Sequence, residues 1–212
     1  MTKAILFDLD GTLTDSGEGI IKCAKLALDR LGVPVPDAQT MRSFVGPPLS
    51  ESFLKCGVPA RSVDEAIRIY RSRYLTVGKF ENFPYPGIRE MLEALLQAGH
   101  RLFVATSKPE TTAREVLEHF SLDRYFERIC GATMDASRST KSQVIAYLLS
   151  GIGTLENTVM VGDTAFDVTG AAAHHIPTIG VSWGYGTVDS MKEAGAAAIA
   201  NTVAELTALL LA

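Results

Sequence analysis

The stretch Lys3-Ala4-Ile5-Leu6-Phe7-Asp8-Leu9-Asp10-Gly11-Thr12-Leu13-Thr14-Asp15-Ser16 decides how the chain is read. Residues 3 to 7 are a short apolar run of the kind found in a strand buried on both faces. Two aspartates separated by a single leucine follow at once, and Gly11 breaks the pattern. Asp15 with Glu18 three residues on predicts a capping box that opens a helix. Ile20, Ala24, Ala27, Leu28 and Leu31 then repeat at helical spacing as far as the stop at Gly32.

Outward from there the chain changes character twice. From residue 16 to about residue 80 it reads as helices, including an amphipathic one opened by Ser62 and Glu65, with no convincing strand. Asn82-Phe83-Pro84-Tyr85-Pro86-Gly87 is dense punctuation. Beyond it, helix and strand alternate. Helices are expected near 88–98, after Pro109, near 140–149, through Ala171 to Ala173, and near 203–211. Strands are expected at 102–105, near Ile129, at 158–161 and 178–181, with an edge strand at 197–200. This alternation predicts an α/β fold built on a doubly wound parallel sheet. The expected division is residues 1–15 with 81–212 as the core domain and 16–80 as an inserted helical domain.

Composition agrees with a soluble globular protein. At 212 residues, against roughly 150 per domain, the chain amounts to about 1.4 domains, and a domain of this size buries roughly 70% of its unfolded surface. Apolar residues make up 47%, charged residues 21%, and the net charge is −4 with no basic block, which argues against a nucleic-acid partner. Cys23, Cys56 and Cys130 are odd in number and widely spaced, which fits reduced thiols better than a disulfide framework or a zinc site. The apolar run before Asp8 is too short for a signal core, and no stretch has the length of a membrane span, so a cytoplasmic location without membrane contact is expected.

In a doubly wound sheet, ligands bind outside the carboxyl ends of the strands. The residues just beyond those ends are Asp8, Asp10, Thr12, Thr106, Ser107, Lys108, Lys141 at or near a helix start, Asp163 and Asp167. Four carboxylates gathered in one crevice either raise their pKa values or recruit a cation. A set of hard oxygen donors without His or Cys suits Mg²⁺. With Lys141 and the Thr106 hydroxyl to hold phosphate oxygens, such a rim suits phosphoryl transfer. One aspartate of the pair would attack phosphorus while the other handles the leaving-group proton.

These motifs resemble those of a known family. D-L-D-G-T-L-T-D-S at 8–16 is similar to the first motif of the haloacid dehalogenase superfamily of Asp-nucleophile phosphatases. Thr106, Lys141 and the G-D-x-x-x-D of Gly162 to Asp167 resemble the second, third and fourth motifs, in order. T-S-K-P at 106–109 and V-G-D-T-A-F-D at 161–167 resemble the phosphoglycolate-phosphatase-like branch, with position 107 a Ser where that branch often has Asn. The resemblance implies a Rossmann-like core whose helical insert is a cap that closes over the site. It implies Asp8 as nucleophile and Mg²⁺ ligand, Asp10 as general acid and then base with its carbonyl on the metal, and Asp163 as a further ligand. Thr106, Ser107 and Lys141 would bind the phosphate, and Asp167 and Thr12 would support them. Arg42, Phe44 and Gly46 lie in the insert loop expected to inspect the leaving group.

The expected activity is Mg²⁺-dependent hydrolysis of a small phosphorylated metabolite, such as phosphoglycolate, a nucleotide or a sugar phosphate, through an aspartyl phosphate. The protein is expected to be a monomer or weak homodimer. Two rivals share the residues: a phosphomutase, and a signalling domain phosphorylated on aspartate. The signalling reading predicts an adjacent acidic pair after the first strand, whereas here Leu9 splits the pair.

Overall fold

A computed structural model describes residues 2–135, 137–152 and 157–212. It divides into two compact units, one of Met1–Thr14 with Pro84–Ala212 and the other of Asp15–Phe83. In chain order, β1 (Ala4–Phe7) and β2 (Thr14–Asp15) lead into the helices α1 (Gly17–Arg30), α2 (Ala38–Arg42), α3 (Leu49–Lys55) and α4 (Val63–Tyr74). Then come β3 (Phe83–Pro84), α5 (Ile88–Gln97), β4 (Arg101–Pro109), α6 (Glu110–His119), β5 (Arg128–Ala132) and α7 (Lys141–Ile152). The chain finishes with β6 (Thr158–Gly162), α8 (Ala165–Ala172), β7 (Thr178–Val181), α9 (Val188–Glu193), β8 (Ala198–Ala200) and α10 (Val203–Leu211).

Six strands form one parallel sheet in the order β5-β4-β1-β6-β7-β8. The central strand β1 is wholly buried, and its side chains alternate between two cores. Ile5 and Phe7 join Leu92 and Leu95 of α5, Val116 of α6 and Leu206 of α10 on one face. Ala4 and Leu6 join Val144, Ile145 and Leu148 of α7 and Ala171 of α8 on the other. The short apolar run is thus apolar on both sides because helices cover both sides, which is the doubly wound α/β fold. Register brings the strand ends level: Phe7 lies opposite Val104 of β4 and Val161 of β6, so the chain leaves all three strands at one rim. The edge position expected for residues 197–200 is that of β8.

The second unit is helical apart from the strand residues at its ends. Its core stacks Phe53 edge-on against Phe44 and Tyr70. Arg73 grips Glu81 with two hydrogen bonds of 2.6 and 2.9 Å, and Lys22 pairs with both Glu81 and Glu18. The capping box expected from Asp15 and Glu18 does not form. Asp15 is committed to β2, so the cap position passes to Ser16 and Glu18 becomes the second helical residue, one short of the position a box requires. Glu18 turns to Lys22 instead. Ser62 does precede α4, but Glu65 pairs with Arg68 rather than reaching back to the cap. Among the described residues, no helix is long and apolar enough to cross a membrane.

Candidate active site

The loop after β1 is a tight turn whose backbone accounts for the placing of both leading aspartates. The Leu9 carbonyl accepts from the amides of Thr12, Leu13 and Thr14 at 3.0–3.3 Å, and the Gly11 amide donates to Thr14 O at 2.8 Å. Leu9 and Leu13 are fully buried and anchor the turn in the core. Gly11 has φ +84°, and a Cβ there would stand 2.3 Å from Asp163 Oδ2, so the turn requires glycine for its conformation and for its neighbour. Asp8 and Asp10 therefore project from a rigid strand end.

Lys141, the first residue of α7, lies among the carboxylates. Its Nζ stands 2.8 Å from Asp8 Oδ1 and 2.7 Å from Asp167 Oδ1, and donates to the Ala105 carbonyl at 2.9 Å. Asp167 is fully buried at the first turn of α8, and its Oδ2 accepts from the Thr164 amide and hydroxyl at 3.0 and 2.7 Å. Both of its oxygens are thus engaged, one on Lys141 and one on its own helix start. Thr106, buried in β4, has its hydroxyl near enough to Asp8 to favour the charged carboxylate.

Asp163, beyond β6, accepts from the Thr12 hydroxyl at 3.2 Å and the Tyr185 amide at 2.8 Å. Trp183-Gly184-Tyr185-Gly186 wraps this carboxylate so closely that a Cβ on Gly184 would sit 2.3 Å from Asp163 Oδ2. Trp183 Nε1 donates to the Thr12 carbonyl, tying the loop to the turn after β1. One oxygen each of Asp8, Asp163 and Asp167 lies within 4.8 Å of the others, all three residues buried.

Asp10 faces a different partner. Both of its oxygens lie 2.7 Å from Lys108 Nζ, a nearly inaccessible ammonium at the end of β4. Ser107 between Thr106 and Lys108 is half-buried. Arg42, at the end of α2, and Gly46, with φ +106°, are exposed and belong to the second unit. The structure therefore brings Asp8, Asp163, Asp167, Lys141, Thr106 and Thr12 into one cluster, with Asp10 turned to Lys108 at its side. The sequence sets Lys108 among the residues at the strand ends without a role, and reads 183–186 as a turn with packed aromatics rather than as part of the site. Lys108 did carry a signal, since in an extended chain it shares a side with Thr106 two residues before it.

The electrostatics follow from burial. Loss of water raises Asp8 to about 6, against the pull of Lys141 and with the push of Asp167. Burial, with Asp167 and Asp8 nearby, raises Asp163 to about 8. Burial also works against the charge on Lys141, but Asp167 and Asp8 outweigh it and hold the ammonium above its ordinary value. The cluster carries an unmatched negative charge. A donor set of carboxylate oxygens alone, without His or Cys, fits a hard divalent ion such as Mg²⁺.

The chain matches a family model described as haloacid dehalogenase-like hydrolase over residues 5–181. It is 43% identical over 190 residues to a 5'-nucleotidase of Pseudomonas aeruginosa, covering 89% of this chain and 86% of the relative. It is 44% identical over 207 residues to the tyrosine-protein kinase PtkA of Mycobacterium tuberculosis, covering 96% of this chain and 71% of the relative. A crystal structure described as that of a predicted phosphatase from Clostridium acetobutylicum superposes with a TM-score of 0.94 at 41% identity, covering 100% of this chain and 99% of the other.

Proposed function

The chain belongs to the haloacid dehalogenase-like hydrolases as a phosphoric monoester hydrolase, and from that premise we propose a small phosphorylated metabolite as substrate, Mg²⁺ as cofactor and Asp8 as carrier of the phosphoryl group. The observation that carries this reading is the placing of Lys141 against Asp8 with Asp163 and Asp167 alongside.

Asp8 and Asp163 would hold the ion, with Asp167 holding Lys141 and the start of α8. Bound there, Mg²⁺ would offset charge on the phosphoryl oxygens. Asp8 attacks phosphorus, and the ester bond breaks with its electron pair on the leaving oxygen, which takes a proton from Asp10. Water then attacks the aspartyl phosphate, gives its proton to Asp10, and frees Asp8 and inorganic phosphate. Lys141 and the Thr106 hydroxyl, already at Asp8, are placed to bind phosphoryl oxygens in both half-reactions. The helical unit serves as the cap, with the exposed Arg42 and Gly46 reading the leaving group, while Phe44, also expected there, is buried against Phe53 in the core of that unit.

Phosphoglycolate, nucleoside monophosphates and sugar phosphates are the candidate substrates, and the 5'-nucleotidase relative moves nucleotides forward. A second reading keeps the first half-reaction but passes the phosphoryl group to a hydroxyl acceptor; the relative named as a tyrosine kinase favours testing it. Phosphate release from a monoester panel, with and without Mg²⁺, tests both. Fast release that requires Mg²⁺ supports hydrolysis, whereas an isomerised ester or a phosphorylated acceptor without free phosphate supports transfer.

A further inference from the structure

The geometry points to Lys108 as the positioning residue for Asp10. This rests on the reading of Asp10 as the group that exchanges protons with the leaving oxygen and with water. The site holds two buried lysines, and they do not share partners: Lys141 meets Asp8 and Asp167, while Lys108 meets both oxygens of Asp10 at 2.7 Å. Contact through both oxygens fixes where the carboxylate lies and how its plane is turned, which one hydrogen bond would leave free.

The ammonium is itself well anchored. The Lys108 side chain is 3% exposed against 14% for Asp10, so the cation is the buried, stationary member of the pair. Its amide donates to the Thr106 hydroxyl at 3.2 Å. A Cβ on Gly131 of β5 would come within 2.5 Å of the Lys108 carbonyl, so the neighbouring strand packs directly on this backbone. The segment that carries Lys108 is thus the one that presents Thr106 to Asp8. A single backbone stretch sets the proton-handling carboxylate and the hydroxyl on the nucleophile in fixed relation.

A buried ion pair is weak evidence of a contribution to stability, because desolvation offsets much of its attraction. Orientation is the better account, since proton transfer needs the carboxyl within hydrogen-bond reach of the ester oxygen. Before the first half-reaction Asp10 takes up a proton from water on one oxygen while Lys108 keeps the other. The Asp8–phosphorus bond then forms and the ester bond breaks, with that proton passing to the departing oxygen. An ester whose leaving group departs as a stable anion has no need of that proton.

The test compares two substrates in the Mg²⁺-loaded enzyme: p-nitrophenyl phosphate, with a good leaving group, and the best alkyl monoester, with a poor one. K108M is expected to lower kcat/KM on the alkyl ester, which reports the steps through formation of the aspartyl phosphate, by about 100-fold, the span of one general-acid contribution. On the nitrophenyl ester kcat/KM stays close to that of the parent, while kcat falls on both, because the water step that uses Asp10 is shared. D10N should show the same selective loss, and D10N K108M should be no worse than D10N, because both changes act through one carboxylate. K108R, which restores a cation, should recover part of the alkyl activity. Equal losses in kcat/KM on both esters in K108M, or losses that multiply in the double variant, overturn the inference. If D10N itself fails to discriminate between the esters, the reading of Asp10 falls instead. Should K108M not fold, D10N K108M, which removes both charges of the pair, is compared with D10N, and a further loss on the alkyl ester overturns the inference.

Discussion

Each unit of the molecule holds a cluster of opposite charges, and the two are balanced differently. In the helical unit, Arg73 and Lys22 face Glu81 and Glu18, two cations against two carboxylates. The Arg73 hydrogen bonds hold Glu81 down to about 2. In the sheet unit, Lys141 pairs with Asp8 and Asp167 while Asp163 lies beside them, one cation among three carboxylates whose full ionisation would leave them short of positive charge. There burial drives Asp8 and Asp163 upward instead. A cluster whose charges match is finished by folding. One short of positive charge holds protons until something cationic binds, and a divalent cation fits that need.

The comparison breaks most sharply at the nucleophile. D8N should cut turnover by on the order of 10⁴-fold or more, measured as phosphate release, while metal-free thermal stability rises because the excess charge is reduced. Retained activity would remove Asp8 from its role. K141M works in the opposite direction on stability. It removes the only cation of the cluster and should cost about 3–5 kcal/mol in metal-free urea unfolding at neutral pH, with turnover lost as well. If K141M proved as stable as the parent, the carboxylates would not be under strain.

Acidity and metal together sharpen the contrast. Asp8 and Asp163 titrate near 6 and 8 in the folded chain against 3.8 in their ordinary state, so the native form holds protons that the unfolded chain has released. Their contribution to stability is present below 3.8 and is lost as pH rises through about 6 and then about 8. The metal-free melting temperature should therefore fall from pH 4 to pH 8, and Mg²⁺ should raise it more at pH 8 than at pH 5. An Mg²⁺ effect independent of pH would separate the ion from these carboxylates. Glu81 has the reverse sign. Its pKa drops from 4.5 to about 2, so its contribution is present above 4.5 and lost as pH falls through about 2. E81Q should cost less than about 1 kcal/mol at neutral pH, the size of a partly exposed pair. It should also abolish that acid-side loss, with no response to Mg²⁺.

The sheet was legible because a parallel strand covered by helices on both faces is apolar throughout, as Ala4 to Phe7 and Thr158 to Val161 are in large part. The carboxylates were legible because they stand directly after those strands. Lys141 was placed by motif order alone, and the pairing with Asp8 and Asp167 comes from the structure. Lys108 was legible at the rim after the second strand but not its role, because only the fold buries it against Asp10. Trp183 to Gly186 escaped because their role lies in backbone amides and missing side chains, which residue chemistry does not advertise. The cap read at Asp15 failed because strand β2 claimed that residue first.

Asp167 belongs at once to a helix and to the site, with one oxygen on the Thr164 start of α8 and the other against Lys141. Fraying of that first turn and loss of a counter-ion for the lysine are consequently a single opening event. Whatever occupies the phosphate position and steadies Lys141 should slow amide hydrogen exchange at Phe166 to Val168, without touching one of those amides.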